Sequence, residues 1–122
     1  MAEKVLVADD DEDIVFMLKS MLEKNGYEVV TAADGEQALR VLRTQTPDLM
    51  IVDLTMPNMS GWNFTTKVRQ NERFKNTPII VLSGLLENQR EPEVFESASI
   101  YMPKPFDIFE VLKKVQDLLK QH

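Results

Sequence analysis

Five residues of this chain stand where chemistry is easiest to assemble. Asp9 and Asp10 follow the run Val5-Leu6-Val7, and Asp53 ends the run Leu49-Met50-Ile51-Val52. Ser83 follows Ile79-Ile80-Val81-Leu82, and Lys104 comes just after Ile100-Tyr101-Met102. Each run is unbroken and of strand length, as in strands buried on both faces. In a parallel sheet the carboxyl ends of the strands share one edge, so residues far apart in sequence converge there. A carboxylate ending so apolar a strand needs a partner or a task. Three carboxylates offer hard oxygen donors for a divalent cation that keeps several waters. Lys104 adds a mobile point charge for an anionic oxygen, and Ser83 a hydroxyl donor. Asp53 is read as the reactive centre.

The elements that must position these groups alternate. A strand over Lys4 to Ala8 leads into a helix with Ile14, Leu18, Met21 and Leu22 at helical spacing, stopping at Asn25-Gly26. A second strand, Tyr27 to Ala32, precedes a helix capped by Asp34 with Gln37 three residues on, carrying Ala38, Leu39 and Leu42, and stopped by Thr46-Pro47. After Asp53 the turn residues Pro57 and Gly61 lead to a helix over about Trp62 to Asn71, then a polar link from Glu72 to Pro78 and the fourth strand. Residues Leu85 to Ser97 should hold a fourth helix, but Pro92 interrupts them, so an irregular or late-starting helix is expected. Asp107 with Glu110 caps a last helix bearing Ile108, Val111, Leu112, Val115, Leu118 and Leu119. Asp11 and Asp13 read as helix cap and first-turn acid rather than as ligands. Five strand–helix alternations imply an α/β fold, a parallel sheet covered on both faces.

Composition narrows the function classes. The chain has 122 residues, 43% hydrophobic and 28% charged, one domain's worth over 1–122. With no cysteine, disulfides and thiolate chemistry are excluded. The net charge of −6 disfavours nucleic-acid backbone binding by this domain. The single histidine is the last residue, His122, a poor place for a catalytic imidazole. No signal peptide or membrane span is legible, which points to the cytoplasm.

The acidic pair, the Asp53-x-x-Met56-Pro57-x-x-x-Gly61 turn, Ser83 and Lys104-Pro105-Phe106 occur together in order, and with them the whole chain resembles the receiver domain of bacterial-type response regulators. The resemblance implies a flavodoxin-like (βα)5 sandwich with strand order 2-1-3-4-5. It implies that Asp53 is a phosphoryl acceptor, that Asp10 and Asp53 ligate Mg²⁺ (with Mn²⁺ as a substitute), that Asp9 acts largely through water, and that the backbone carbonyl of Thr55 completes the protein ligands. Lys104 and Ser83 would hold phosphoryl oxygens, and Lys104-Pro105 would be a cis peptide. Tyr101 would be the aromatic switch, swinging inward as Ser83 moves and reshaping the face formed by the fourth helix, fifth strand and fifth helix.

The partners implied are a sensor histidine kinase or histidine phosphotransfer protein, and a downstream protein on that face. A monomer or weak phosphorylation-dependent dimer is expected, with neither nucleic acid nor membrane as partner. The chain would not be an enzyme on outside substrates, catalysing transfer to and hydrolysis from its own Asp53 only, and would carry no output domain. Pro92, Gly84 and Ser97-Ala98-Ser99 depart from the family pattern, all on the output side. They motivate an alternative, a receiver-fold interaction module acting independently of phosphorylation. Thr55 and Leu85, each two residues past a site residue, would govern water access, and an apolar Leu85 suggests slow hydrolysis.

Overall fold

The computed structural model describes residues 2–84 and 99–120. The strands are β1 (Lys4–Ala8), β2 (Glu28–Ala32), β3 (Leu49–Asp53), β4 (Ile79–Ser83) and β5 (Ile100–Pro103). The helices are α1 (Glu12–Lys24), α2 (Gly35–Val41), α3 (Gly61–Arg69) and α4 (Ile108–Lys120), with a 3₁₀ turn at Glu72–Phe74. All strand pairs are parallel and the order is β2-β1-β3-β4-β5. This is the order that the resemblance implies. The expected irregular fourth helix, with Pro92 and Leu85, lies outside the described residues.

Burial explains the unbroken apolar runs. Every residue of β3 and β4 is buried, because both strands are central and covered on both faces. Side chains alternate across the sheet. Leu6, Met50, Val52, Ile79 and Val81 join Phe64 and Val68 of α3 and Ala38 of α2 in one core layer. Val5, Val7, Leu49, Ile51, Ile80 and Leu82 join Leu18 and Leu22 of α1 and Val111, Val115 and Leu119 of α4 in the other. The stripe Val111, Val115, Leu119 has the spacing of one helix face. Leu112 and Leu118 flank it and are only half-buried.

Caps set where the helices begin. Asp11 Oδ1 accepts from the N–H groups of Asp13 and Ile14 at 3.0 and 3.3 Å, so it is the cap of α1, as its sequence position indicates. Asp34 Oδ1 accepts from Gln37 N–H at 2.8 Å. Gln37 Oε1 reaches back to the N–H of Ala33, one residue before the cap, instead of to the cap itself. Asp107 Oδ1 accepts from Phe109 N–H at 2.8 Å, just ahead of α4.

The polar link after α3 proves to be packed structure. Phe74 is buried there, and Arg73 lies over its ring at 4.7 Å. The Arg73 guanidinium donates to Leu42 O at 2.9 Å and Thr46 Oγ1 at 2.7 Å, which holds the end of α2. Arg69 Nη1 donates to the carbonyls of Phe74 and Thr77 at 2.8 and 2.6 Å. One aromatic among polar residues has no period to betray it, which is why the stretch reads as a plain link.

Candidate functional site

The three strand-end acids do converge. One carboxylate oxygen from each of Asp9, Asp10 and Asp53 lies within 4.8 Å of the others. Asp9 and Asp53 are 2% and 3% exposed, while Asp10 is exposed to solvent. The division follows from β1 ending at Ala8: Asp9 still points into the sheet edge, and Asp10 is the first residue to clear it. Asp9 is held from three sides. Its N–H donates to Ala32 O at 3.1 Å, its Oδ1 accepts from Asp11 N–H at 2.9 Å, and its Oδ2 faces Lys104 Nζ at 3.2 Å.

Lys104 arrives from the far edge of the sheet. Ser83 pairs in register with Pro103, and Ser83 O accepts from Lys104 N–H at 2.7 Å, which brings the lysine back over the centre. The Lys104–Pro105 peptide is cis. Nζ stands 3.1 Å from Asp53 Oδ1, so one ammonium bridges Asp9 and Asp53. Ser83 is fully buried one residue beyond Leu82, the register partner of Asp53.

The loop after Asp53 is tightly fixed. Leu54 N–H donates to Leu82 O, and Gly61 N–H returns to Leu54 O, both at 2.8 Å. A Cβ on Gly61 would lie 2.1 Å from the carbonyl oxygen of Asp53, so only glycine fits there. From the sequence Gly61 is a turn residue; in the fold it is a contact with the backbone of Asp53 itself. Thr55 lies exposed within this loop. Asn58 has φ 67°, and its Nδ2 donates to Asp34 Oδ2 at 2.8 Å. Sequence reasoning passed over this pair. The available signal was an Asn in a turn, the side chain that best tolerates left-handed backbone after glycine.

Electrostatics mark the site as short of positive charge. Burial, then repulsion from Asp9, pushes the Asp53 carboxyl up to about 6, against the pull of Lys104. Burial likewise raises Asp9, opposed by the Asp11 N–H and by Lys104. Burial by itself would lower the Lys104 ammonium, but its hydrogen bond to Asp53 and the charges of Asp53 and Asp9 outweigh this and raise it. Two carboxylates with little access to water thus share one ammonium, and the Asp10 carboxylate lies beside them. Hard oxygen donors with unbalanced negative charge fit a small divalent cation such as Mg²⁺. Asp9 and Asp10 also form one end of an open cleft of about 340 Å³ between α1 and the β2–α2 turn, with Phe16, Lys19 and Gln37 along it.

Tyr101 pairs in register with Val81 and packs half-buried against the α2–α3 core layer. Its hydroxyl oxygen is buried.

A doubly wound five-strand sheet with an acidic pocket and one lysine at its carboxyl edge is the architecture of a phosphorelay receiver, and the sequence profile of the response regulator receiver domain matches residues 5–116. The chain belongs to this family, a class of signalling domain in two-component systems. Among its relatives is the alkaline phosphatase synthesis transcriptional regulatory protein PhoP of Bacillus subtilis, 38% identical over 122 residues, covering 99% of this chain and 50% of that protein. The chain spans about half the length of the curated relatives it matches. Among solved structures, the chemotaxis response regulator CheY4 of Vibrio cholerae superposes with a TM-score of 0.89 at 35% identity, covering 97% of this chain and 99% of that one. The response regulator TrrA of Thermotoga maritima, solved in complex with Mg²⁺-BeF, gives 0.85 at 33% identity, with 95% and 98% covered. No helix among the described residues is long and apolar enough to cross a membrane.

Proposed function

We propose that this receiver takes a phosphoryl group onto Asp53 from a phosphohistidine of a sensor kinase or histidine phosphotransfer protein, and signals through the state so formed. The observation that carries this reading is the position of Lys104 Nζ, 3.1 Å from the buried Asp53 carboxylate and 3.2 Å from Asp9. An Asp53 oxygen attacks phosphorus in line. The new P–O bond forms as the P–N bond to the donor imidazole breaks, and the electron pair of that bond stays with the imidazole nitrogen. Both reactants are anionic, so the approach needs positive charge between them. Lys104 supplies part of it by exchanging its Asp53 contact for a phosphoryl oxygen, and the Ser83 hydroxyl donates to another. Asp10, Asp53 and the Thr55 carbonyl would hold Mg²⁺ directly, with Asp9 acting through water. Bound there, the cation neutralises the carboxylates and draws charge from the phosphoryl oxygens. That the Thermotoga relative was solved in complex with Mg²⁺-BeF supports Mg²⁺ as the cation.

Hydrolysis returns Asp53 to its free form, so the chain acts on its own acyl phosphate and on no other substrate. Ser83, drawn toward the phosphoryl group, would couple the site to Tyr101 and to a protein target on the β5–α4 side, a population shift between two states. The setting is cytoplasmic. A small acyl phosphate with Mg²⁺ should add the mass of one phosphoryl group to the intact chain. The adduct should vanish with Asp53→Asn or with a chelator; an adduct that survives Asp53→Asn overturns the assignment.

A further inference from the structure

The carboxylate of Asp34 serves two elements at once. Its Oδ1 accepts from Gln37 N–H at 2.8 Å and caps α2, while its Oδ2 accepts from Asn58 Nδ2 at 2.8 Å in the loop after β3. Both bonds favour the ionised form, and Asp34 is held below the usual carboxylate range by the Gln37 N–H first and the Asn58 amide second. The next residue adds a steric contact: a Cβ on Gly35 would lie 2.6 Å from Met59 O and 2.8 Å from Met59 Cβ. Two residues before Asp34, Ala32 O accepts the N–H of Asp9. The β2–α2 turn therefore touches both loops that bring acids to the site.

The loop from 54 to 60 is pinned at its ends by the Leu54–Leu82 and Gly61–Leu54 hydrogen bonds. Apart from the Ser60 cap of α3, the side-chain tie between this loop and another element among the described residues is Asn58, in left-handed backbone that costs a non-glycine residue free energy. Thr55 lies on the stretch that this tie steadies. Mg²⁺ demands near-octahedral geometry and tolerates little movement of its ligands, and partners that orient ligands from behind are worth real affinity.

We propose that Asp34 and Asn58 form a latch that positions the β3–α3 loop and so sets the affinity of the acidic site for its divalent cation. The inference rests on the reading of Thr55 as a backbone ligand. Asp34 and Asn58 are positioning residues; neither touches the reacting atoms.

The test measures Mg²⁺ binding to the full chain by calorimetry, alongside thermal unfolding in chelator. Asn58→Gly keeps the left-handed backbone and removes the amide; its Mg²⁺ dissociation constant should rise about three- to tenfold, the value of one hydrogen bond. Asn58→Asp sets two carboxylates face to face. Coulomb attraction alone would tighten the cation there, whereas loss of the latch weakens it. The swap Asp34→Asn with Asn58→Asp keeps net charge, cap and left-handed tolerance and restores a donor–acceptor pair, so affinity should return to within about twofold of the parent. An unchanged constant in Asn58→Gly, or tighter binding in Asn58→Asp, overturns the latch. Should Asn58→Gly fail to fold, the swap set against Asn58→Asp decides. A parent chain that binds Mg²⁺ yet forms no adduct with an acyl phosphate sinks the phosphoacceptor reading and leaves the latch standing; a parent that binds no Mg²⁺ sinks both.

Discussion

Lys104 Nζ and Asp53 Oδ1 stand 3.1 Å apart, with the aspartate nearly sealed from solvent and the lysine side chain 22% exposed. The open side of the pair is the lysine. An anion approaching from solvent would therefore meet the ammonium before the carboxylate.

Removing that ammonium should leave two buried carboxylates facing each other. Lys104→Gln should raise the Asp53 pKa above its value of about 6, since the hydrogen bond and charge that lower it are lost. Without metal at pH 7 the variant should lose about 2 kcal/mol, less than a fully buried pair costs when broken because the lysine is part-exposed. Carboxyl carbon NMR and urea unfolding read the two effects.

Asp53 itself should make the metal-free fold pH-dependent. Its folded pKa of about 6 exceeds the ordinary 3.8, so between these values the folded state holds the extra proton. The stability tied to that proton is fully present below about pH 4 and is lost as pH rises through 6, on the order of 1–3 kcal/mol. Asp53→Asn should flatten this part of the curve and raise the neutral-pH Tm in chelator. Saturating Mg²⁺ should erase its advantage. Unfolding midpoints against pH, with and without the cation, check both statements.

Gly61→Ala should be the costliest single methyl in the loop. The added Cβ meets the Asp53 carbonyl at 2.1 Å, a backbone atom that cannot step aside. Stability should fall by about 2–4 kcal/mol, and Mg²⁺ affinity should fall with it because the Asp53 peptide is displaced. Calorimetry and denaturant unfolding on the same preparation show whether the two losses travel together.

Arg73→Ala should separate stability from function. It deletes hydrogen bonds to Leu42 O and Thr46 Oγ1 and the cover over Phe74, a loss of about 1–2 kcal/mol. These contacts lie at the opposite end of α2 from Asp34, so Mg²⁺ binding at the acids should be unchanged. Arg73→Lys should recover only part of the loss, since an ammonium lacks the planar fork. A changed Mg²⁺ constant would show that the 3₁₀ turn reaches the site.

What was legible in the chain was what periodicity and strand ends encode. β1 spans Lys4–Ala8 as the apolar run indicates, and β3 ends on Asp53. Asp9, Asp10, Asp53 and Lys104 meet because a parallel sheet gathers its carboxyl ends, a topological fact that short runs suffice to reveal. Contacts that depend on how two elements face each other were not legible. Asn58 and Asp34 are 24 positions apart, and nothing local to either names the other. Gly61 against the Asp53 carbonyl, and Gly35 against Met59, are likewise products of docking. The packing of Tyr101 against the α2–α3 core layer belongs to the same group, since the β5 run does not name what it meets.

The sequence Asp9-Asp10-Asp11 has one further property. Asp9 is locked into the sheet edge and Asp11 is already the cap of α1, so Asp10 has no slack on either side. The helix is tied to the acid pair both through Asp10 and through the Asp11 N–H on Asp9. A tilt of α1 on its Leu18 and Leu22 footing would therefore be felt at the Asp10 carboxylate. One short segment of chain thus joins the outer helix to the charge at the centre of the fold.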